Sequence, residues 1–365
     1  PELKIIVSGC LAQRYADDIR AELPEVDGIM GTGSYSEVVS VVEAVLAGDK
    51  PTRRGAISAP LYDTPRAVST GPNWAYLRIA EGCDNRCAYC VIPSLRGKFR
   101  SRTKESILEE ARLLAASGVK ELIIVAQDIT RYGIDLYGKV CLTELLKELC
   151  KLDFRWVRLH YLYPELIDDE LIDEIASEDK IVKYLDIPIQ HINDTILRRM
   201  NRRGTGEEIR TLFKKLRERI PGLVLRTSLI TGLPGEGEAE FEELCDFLRE
   251  AKIERAGVFP YSPEEGTPAA LMPDRCSTEE AQRRAELCME IQAEIMDGFA
   301  ETFIGRELDV LVMGREPDGT PWGRSEYDSP DIDSRVIFSG GAAPGDMVRV
   351  RIDSVDDGEL IGEQI

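Results

Sequence analysis

Residues 81–90 read Glu81-Gly82-Cys83-Asp84-Asn85-Arg86-Cys87-Ala88-Tyr89-Cys90 and come directly after an apolar run at 75–80. Three thiols at C-x3-C-x2-C spacing on one short loop can wrap a single inorganic centre. Three protein ligands also leave one position of a four-site cluster free to hold a substrate. Gly82 precedes the thiols and Pro93 follows them. Three plainer readings compete. A structural zinc site usually takes four ligands, and no fourth Cys or His lies nearby in sequence. Cys87-x-x-Cys90 alone could be a thioredoxin-like couple, which leaves Cys83 unexplained. Buried structural thiols need no such spacing.

Outward from this loop, strand and helix patterns alternate. Strand-like runs fall at 75–80, 121–125, 156–159, 184–187, 223–230 and 255–260. Helical spacing falls at 104–116, 142–149, 164–176, 193–200 with 206–219, and 238–251. Units of this kind in series imply parallel strands with right-handed crossovers. Their number falls short of a closed eight-stranded barrel, so the expected fold is α/β, an open partial (βα)6 barrel over 74–300 that ends in a long polar helix at 278–302. Sites in such barrels are built at the carboxyl ends of strands, which is where residues 81–90 stand. Residues 1–50 read as a βαβα unit with its opening strands absent, and residues 51–73, with four prolines, as a linker. The chain opens at Pro1 without an initiator Met and is expected to be the remainder of a longer protein, behind a truncated N-terminal α/β domain. Residues 301–365 carry short alternating runs at 308–312, 335–338 and 347–352, separated by Gly, Pro and Asp, and predict a small all-β barrel.

Composition narrows the chemistry. The 365 residues include nine cysteines and two histidines and carry a net charge of −20. Neither an H-E-x-x-H zinc site nor an H-x-E deaminase site can be written. The acidic balance argues against docking the whole surface on a phosphate backbone. Sparse, odd-numbered cysteines do not make a disulfide scaffold, and no apolar run approaches membrane-spanning length. A reducing cytoplasm is the expected compartment.

C-x3-C-x-Φ-C, with Tyr89 before the last thiol, resembles the radical S-adenosylmethionine (SAM) superfamily. The resemblance implies that Cys83, Cys87 and Cys90 hold a 4Fe–4S cluster whose fourth iron binds SAM, and that one-electron cleavage yields a 5′-deoxyadenosyl radical. It narrows further along. Residues 82–102 (GCDNRCAYCVIPSLRGKFRSR), 126–133 (AQDITRYG), 158–164 (RLHYLYP), 185–191 (LDIPIQH), 227–236 (TSLITGLPGE) and 261–269 (YSPEEGTPA) are similar, in order, to the methylthiotransferases. That family joins an N-terminal domain with its own three-cysteine cluster, the radical SAM barrel and a C-terminal TRAM β-barrel. Residues 8–14 (SGCLAQR) look like the last cysteine motif of the N-terminal domain. Cys10 would then ligate a second 4Fe–4S cluster, the sulfur donor, with its other two ligands upstream of Pro1. On the residues alone, Cys10 reads as a buried thiol.

SAM needs acceptors for its amino group and a cation for its carboxylate. Arg226, at the end of the fifth strand run, suits the carboxylate, because a planar fork matches two oxygens. Gln127 and Asp128 follow the second strand, where the family contacts the amino group, and Gln190 follows the fourth. Gly232 and Gly235 allow close approach to the nucleoside, and Phe259 and Tyr261 could flank adenine. Each also fits a packing or capping role. His160 and His191 read as structural, and Cys141, Cys150, Cys245, Cys276 and Cys288 have no ligand spacing. Gly31-Thr32-Gly33 lacks the third glycine of a dinucleotide fingerprint. Arg198, Arg199, Arg202 and Arg203 form a basic patch that either meets an acidic substrate or balances nearby acids.

Two branches of the family divide by substrate: one modifies an adenosine of tRNA, the other the β-carbon of an aspartate in a small-subunit ribosomal protein. A tRNA-binding TRAM barrel should carry Lys and Arg. Residues 303–365 hold six arginines and no lysine against fourteen acids, a net −8, which suits a basic ribosomal protein. Residues 126–133, 158–164 and 323–333 (GRSEYDSPDID) also look like the ribosomal-protein branch. The resemblance implies SAM and an electron donor such as flavodoxin or ferredoxin as further partners, and no membrane. A non-catalytic alternative is an iron–sulfur RNA-binding module.

Overall fold

The computed structural model describes residues 3–58, 67–71 and 73–365. The N-terminal unit runs β1 (Ile6–Ser8), α1 (Cys10–Arg14), α2 (Ala16–Glu22), β2 (Gly28–Met30), a 3-10 turn at Thr32–Glu37, α3 (Val38–Leu46) and β3 (Thr52–Arg53). Its three strands pair in parallel in the order β1-β2-β3. The residues read as linker therefore begin with a strand: Thr52-Arg53 is too short to show alternation, and its pairing with Ile29 and Met30 places it. Of the two helices of the expected βαβα unit, the first starts at Cys10 and breaks at Tyr15, and the second is a 3-10 turn followed by α3. Residues 59–66 and 72 of the expected linker lie outside the described residues.

The next region holds β4 (Trp74–Arg78), β5 (Ala80–Glu81), α4 (Ile92–Arg96), β6 (Arg100–Ser101), α5 (Lys104–Ala116), β7 (Glu121–Val125), α6 (Ile134–Tyr137) and α7 (Leu142–Leu149). It continues with β8 (Trp156–Leu159), α8 (Asp169–Ser177), β9 (Ile181–Asp186), α9 (Asp194–Arg199), α10 (Gly206–Arg219), β10 (Val224–Thr231), α11 (Glu238–Ala251), β11 (Arg255–Pro260) and α12 (Thr278–Glu301). Six strands form one parallel sheet in the order β11-β10-β9-β8-β7-β4. Neighbours in sequence are neighbours in space, as right-handed βα crossovers require, and β4 and β11 remain edges. Local chemistry starts the helices. Thr103 caps α5 by accepting from the Ser106 amide, and Thr205 and Glu208 form a reciprocal capping box on α10. Asp168 caps α8 and divides the helix expected at 164–176, whose first turn is a 3-10 turn at Pro164–Leu166. Leu122, Ile123 and Ile124 of β7 are fully buried, as expected for a parallel strand covered on both faces.

The last strands, β12 (Glu307–Arg315), β13 (Pro321–Ser325), β14 (Val336–Ser339), β15 (Met347–Asp356) and β16 (Glu359–Gln364), close a barrel in the order β12-β13-β14-β16-β15. The sequence patterns showed three of them. Pro321-Trp-Gly-Arg-Ser lacks alternation because its charged Arg324 is buried, and Glu359–Gln364 is largely polar. This small barrel sits on the amino ends of the large one. Leu311 packs in one cluster with Trp156, Val182 and Val224, at or next to the starts of β8, β9 and β10, and with Tyr184 farther along β9.

A buried ionic lattice seals the junction. Glu121 opens β7 and accepts from Arg158 Nε at 2.6 Å and from Arg324 Nη2 of the small barrel at 2.5 Å. Arg158 and Glu121 are 0 % exposed. Arg255 reaches Asp328 at 2.9 Å, and Tyr184 donates its hydroxyl to Asp333 at 2.6 Å. Burial alone would push Glu121 up, but the guanidiniums of Arg324 and Arg158 outweigh it and hold the carboxyl below its usual range. Such a group stabilises the fold above its unfolded pKa, and that stability is lost as pH falls through the depressed folded value. Glu121→Ala should therefore destabilise the protein by about 3–5 kcal/mol at neutral pH, because it leaves two buried arginines without an anion. Urea unfolding at pH 7 and pH 4 measures this, and a loss below about 1 kcal/mol at pH 7 would show the lattice to be incidental.

Candidate functional site

Most candidate residues on the barrel follow a strand or lie near its carboxyl end, but Arg226, expected at the end of the fifth strand, is the third residue of β10, because that strand runs on to Thr231. Between Gly82 and Val91 the chain has no helix or strand, so neighbours must fix the thiols. The Cys83 amide bonds to Gly97 O at 3.1 Å, the Gly82 amide to Gln127 Oε1 at 2.6 Å, and the Ala88 amide to Met200 O at 2.8 Å. Ala269 donates to Ala88 O at 2.9 Å, and Asn201 Nδ2 donates to Arg86 O at 2.9 Å. Beneath the loop, Ala88, Tyr89, Ile196, Met200, Leu233, Tyr261 and Ala269 form an apolar cushion. Gly82 adopts φ +83, and a Cβ there would stand 2.2 Å from Lys98 O.

Cys83 and Cys87 are buried, and Cys90 is half-buried. Burial pushes the Cys83 thiol up to about 11, with Asp128 and the other two thiols adding to it, and burial also raises Cys90. Burial thus disfavours the thiolates of Cys83 and Cys90, and a bound metal centre would supply the charge that favours them. Among the described residues, no three His, Cys, Asp or Glu side chains gather closely enough to hold one metal ion. A four-iron cluster makes no such demand, since each thiolate takes its own iron. The donor set fits it: three soft ligands on one loop, with a corner left over. Tyr163 Oη lies 3.7 Å and Arg202 Nη1 4.0 Å from Cys87 Sγ. Arg202 is buried, stacks over the Tyr163 ring at 4.6 Å and donates to Pro188 O at 2.6 Å. It is thus separated from the surface patch in which the sequence placed it. Neither Arg202 nor Tyr163 was singled out from sequence as a neighbour of the thiols, although both lie in the quoted runs of motif and arginine.

The residues expected to touch SAM divide into groups. Gln127 spends its acceptor oxygen on Gly82, and Asp128 accepts from Asn85 Nδ2 at 3.0 Å and from the amide and hydroxyl of Thr130. Both brace the thiol loop in place of offering free acceptors. Burial raises the Asp128 carboxyl, against the hydrogen bonds that favour its charge. Gly232 and Gly235 have positive φ, but their missing Cβ atoms face Ala281 and the Arg199 guanidinium. Helix packing and the turn therefore occupy the Cβ side of these glycines. Tyr261 is buried in the cushion with its hydroxyl unpartnered among the described residues, whereas Phe259 is 54 % exposed on edge strand β11. The two do not form a matched pair of walls.

Arg226 Nη1 lies 3.1 Å from Asp186 Oδ2, though neither oxygen of this buried carboxylate has a hydrogen bond of good geometry. Burial raises Asp186 to about 6 against the pull of Arg226. Gln190, at φ +70, bonds through its backbone to Ser228 and Ile230 and turns the chain at the barrel mouth. His160 and His191 are both buried. His160 meets Ser329 Oγ at 3.1 Å and is pushed down to about 3 by burial and then by Arg158.

Cys10 begins α1 half-buried and accepts from Arg96 Nε at 3.2 Å. Arg96 also reaches Glu81 Oε1 at 3.1 Å, whose other oxygen accepts from Arg78 at 2.6 Å. Thr32 Oγ1 donates to Leu95 O at 2.8 Å, so the Gly31-Thr32-Gly33 turn docks on α4. On the other edge, Arg14 pairs with Glu264, and Tyr15 donates to Glu265 at 3.1 Å. The N-terminal unit thus bridges the segments that follow β4 and β11.

An open parallel barrel with three thiols on the loop after its first strand, joined to a small β-barrel, defines a radical SAM protein. Residues 77–248 match the radical SAM superfamily and residues 304–365 the TRAM domain. The chain belongs to the RimO family of radical SAM methylthiotransferases. It is 50 % identical over 368 residues to ribosomal protein uS12 methylthiotransferase RimO of Pelotomaculum thermopropionicum, covering 99 % of this chain and 83 % of that protein. The corresponding protein of Lachnoclostridium phytofermentans is 47 % identical, covering 98 % and 82 %. Among solved structures, the radical SAM methyltransferase TsrM of Kitasatospora setae, with cobalamin and a [4Fe–4S] cluster bound, superposes with a TM-score of 0.57 at 15 % identity. That match covers 73 % of this chain and 57 % of that one and shows the shared fold. Membership in the superfamily implies a 4Fe–4S cluster and SAM. Among the described residues, no helix is long and apolar enough to cross a membrane.

Gly82→Ala tests the loop's dependence on its backbone. A side chain at this φ costs about 1–3 kcal/mol, and the clash with Lys98 O adds to it. In metal-free protein, Cys83 and Cys87 should react with an exposed-thiol reagent about tenfold or more faster than in the unsubstituted protein. Unchanged labelling would mean that the loop is held elsewhere.

Proposed function

We propose that the protein transfers a methylthio group to the β-carbon of an aspartate in ribosomal protein uS12, with Cys83, Cys87 and Cys90 holding the radical SAM cluster. The observation that carries the choice of substrate is the state of the small barrel's charges. Arg324, Arg335, Arg349 and Arg351 each sit in ion pairs with carboxylates, and Arg315 bonds to carbonyl oxygens. This leaves little free cationic surface for RNA phosphates and a net acidic one for a basic protein.

When bound, the cluster and SAM supply a 5′-deoxyadenosyl radical through one-electron cleavage of the sulfonium. The chain's own residues position and shield that chemistry. Gln127, Asp128 and Asn85 tie the thiol loop to the end of β7, and Tyr89 and Tyr261 support it from below. Arg226, with Asp186 drawing on one of its nitrogens, is the cation for the SAM carboxylate; Gln190 and Phe259 line the mouth. Cys10 supplies one thiolate to a second 4Fe–4S cluster, and Arg96, shared between Cys10 and Glu81, ties that sulfur to the root of the thiol loop. The reading places the enzyme in the cytoplasm with its substrate, served by a low-potential electron donor.

Full-length protein, reconstituted anaerobically, should add a methylthio group to uS12 and none to tRNA, as read by mass spectrometry. A gain on tRNA alone would overturn the assignment. Cys83→Ala should abolish release of 5′-deoxyadenosine from SAM and reductant, and retained cleavage would refute the placement of the cluster.

A further inference from the structure

Three exposed arginines are carried by the thiol loop and by the segment clamped to it. Arg86, immediately before Cys87, is exposed with its backbone at φ +47. Its carbonyl is clamped by Asn201, so it stands beside the segment that carries Arg198 and Arg203, both exposed. Among the described residues, none of the three side chains has an ion-pair or hydrogen-bond partner. Nearby acids are engaged elsewhere: Asp84 accepts the Phe99 amide at 3.3 Å, and Asp194 accepts the Gly206 amide at 2.7 Å. Glu165, which feels both Arg202 and Arg203, is raised by burial toward its neutral form. Next to Arg86 in the chain is the buried Cys87, with the buried Arg202 at 4.0 Å. A chain of net charge −20 thus presents unpaired cations over one corner of its thiol site.

A rim of this kind raises the local concentration of an anionic visitor and repels a cationic one. The basic ribosomal protein is therefore steered away from it. We propose that Arg86, Arg198 and Arg203 form the docking surface for an acidic one-electron carrier protein, bearing a flavin or an iron–sulfur centre, that delivers its electron on the Cys87 side. This rests on the reading that the three thiols hold a cluster. One electron leaves the reduced carrier and one arrives at the cluster; no bond forms or breaks, and no proton moves. RNA phosphates share the anionic chemistry, but a polyanion long enough to cover the rim would also meet the acidic surface around it.

The test compares the reconstituted protein with R86Q/R198Q/R203Q and with R198Q/R203Q, which leaves the thiol loop intact. Binding of an oxidised acidic flavodoxin is followed by calorimetry on both metal-free and reconstituted protein. Reduction by flavodoxin hydroquinone, and separately by the cationic methyl viologen radical, is followed by stopped flow. The triple variant should bind flavodoxin and accept its electron about ten- to a hundredfold more weakly and slowly at low ionic strength, with the difference vanishing at high salt. The double variant should fall between, and reduction by viologen should not slow. Unchanged flavodoxin binding, equal slowing with both reductants, or tighter binding of RNA than of flavodoxin to the rim would overturn the proposal. If the unsubstituted protein takes up no 4Fe–4S cluster, the reading of the thiols fails; binding to metal-free protein still decides the rim.

Discussion

The three thiols are carried by a segment that makes no helix or strand, and most of this site's architecture answers that constraint. A loop that must present buried sulfur in one arrangement needs its backbone polar groups satisfied from outside. Gly97, Gln127, Met200, Ala269 and Asn201 meet that need from separate parts of the barrel region. The loop is therefore tied to the barrel around it, and a disturbance of β7, of α9 or of the segment after β11 reaches the sulfurs. This is also why Gln127 and Asp128 serve as braces. Their oxygens are worth more to the fold on the Gly82 amide and on Asn85 than they would be pointing into an open mouth.

The opposite end of the barrel is closed by charge rather than by oil. Glu121, Arg158, Arg324, Arg255 and Asp328 are all buried at the junction with the small barrel. Ion pairs of this kind contribute little net stability over an apolar contact, because desolvation offsets attraction, but they tolerate no wrong partner. The consequence is a fixed seat for the small barrel on the amino ends of the strands, with the carboxyl ends left to the chemistry. The small barrel's acidic outer face is then a surface held at a set orientation to the mouth, as recognition of a separate protein requires.

Much of this could be read in the sequence, and the parts that could not share one cause. Strands β7, β8 and β11 and helices α5, α7, α10 and α11 match their predicted bounds, because apolar runs or helical periodicity end there at turn residues or capping side chains such as Thr103 and Thr205. The thiol spacing is local too. What failed to show was set by contacts distant in sequence. Arg202 looks like its exposed neighbours Arg198 and Arg203 until Tyr163 and Pro188 are found around it. Glu121 looks like a solvated strand start until Arg324, some 200 residues on, reaches it. Gly232 and Gly235 invite a ligand-binding reading, yet their missing side chains face α12 and Arg199.

The seam between the edge strands shows how the parts combine. A partial barrel leaves β4 and β11 unpaired on one side, which gives a large substrate a way in but exposes reactive intermediates to water. The N-terminal unit lies across the carboxyl end of that seam, held by Thr32 and Cys10 on the α4 side and by Arg14 and Tyr15 on the side of Glu264 and Glu265. Arg96 is the hinge pin, because one guanidinium answers both the Cys10 sulfur and the Glu81 carboxylate at the root of the thiol loop. Moving either element would strand a half-buried charge. If Cys10 holds the sulfur-donating centre proposed here, the donor is fixed to the same electrostatic frame as the radical site. Transfer would then need no large motion between the two, only a substrate carbon placed between them.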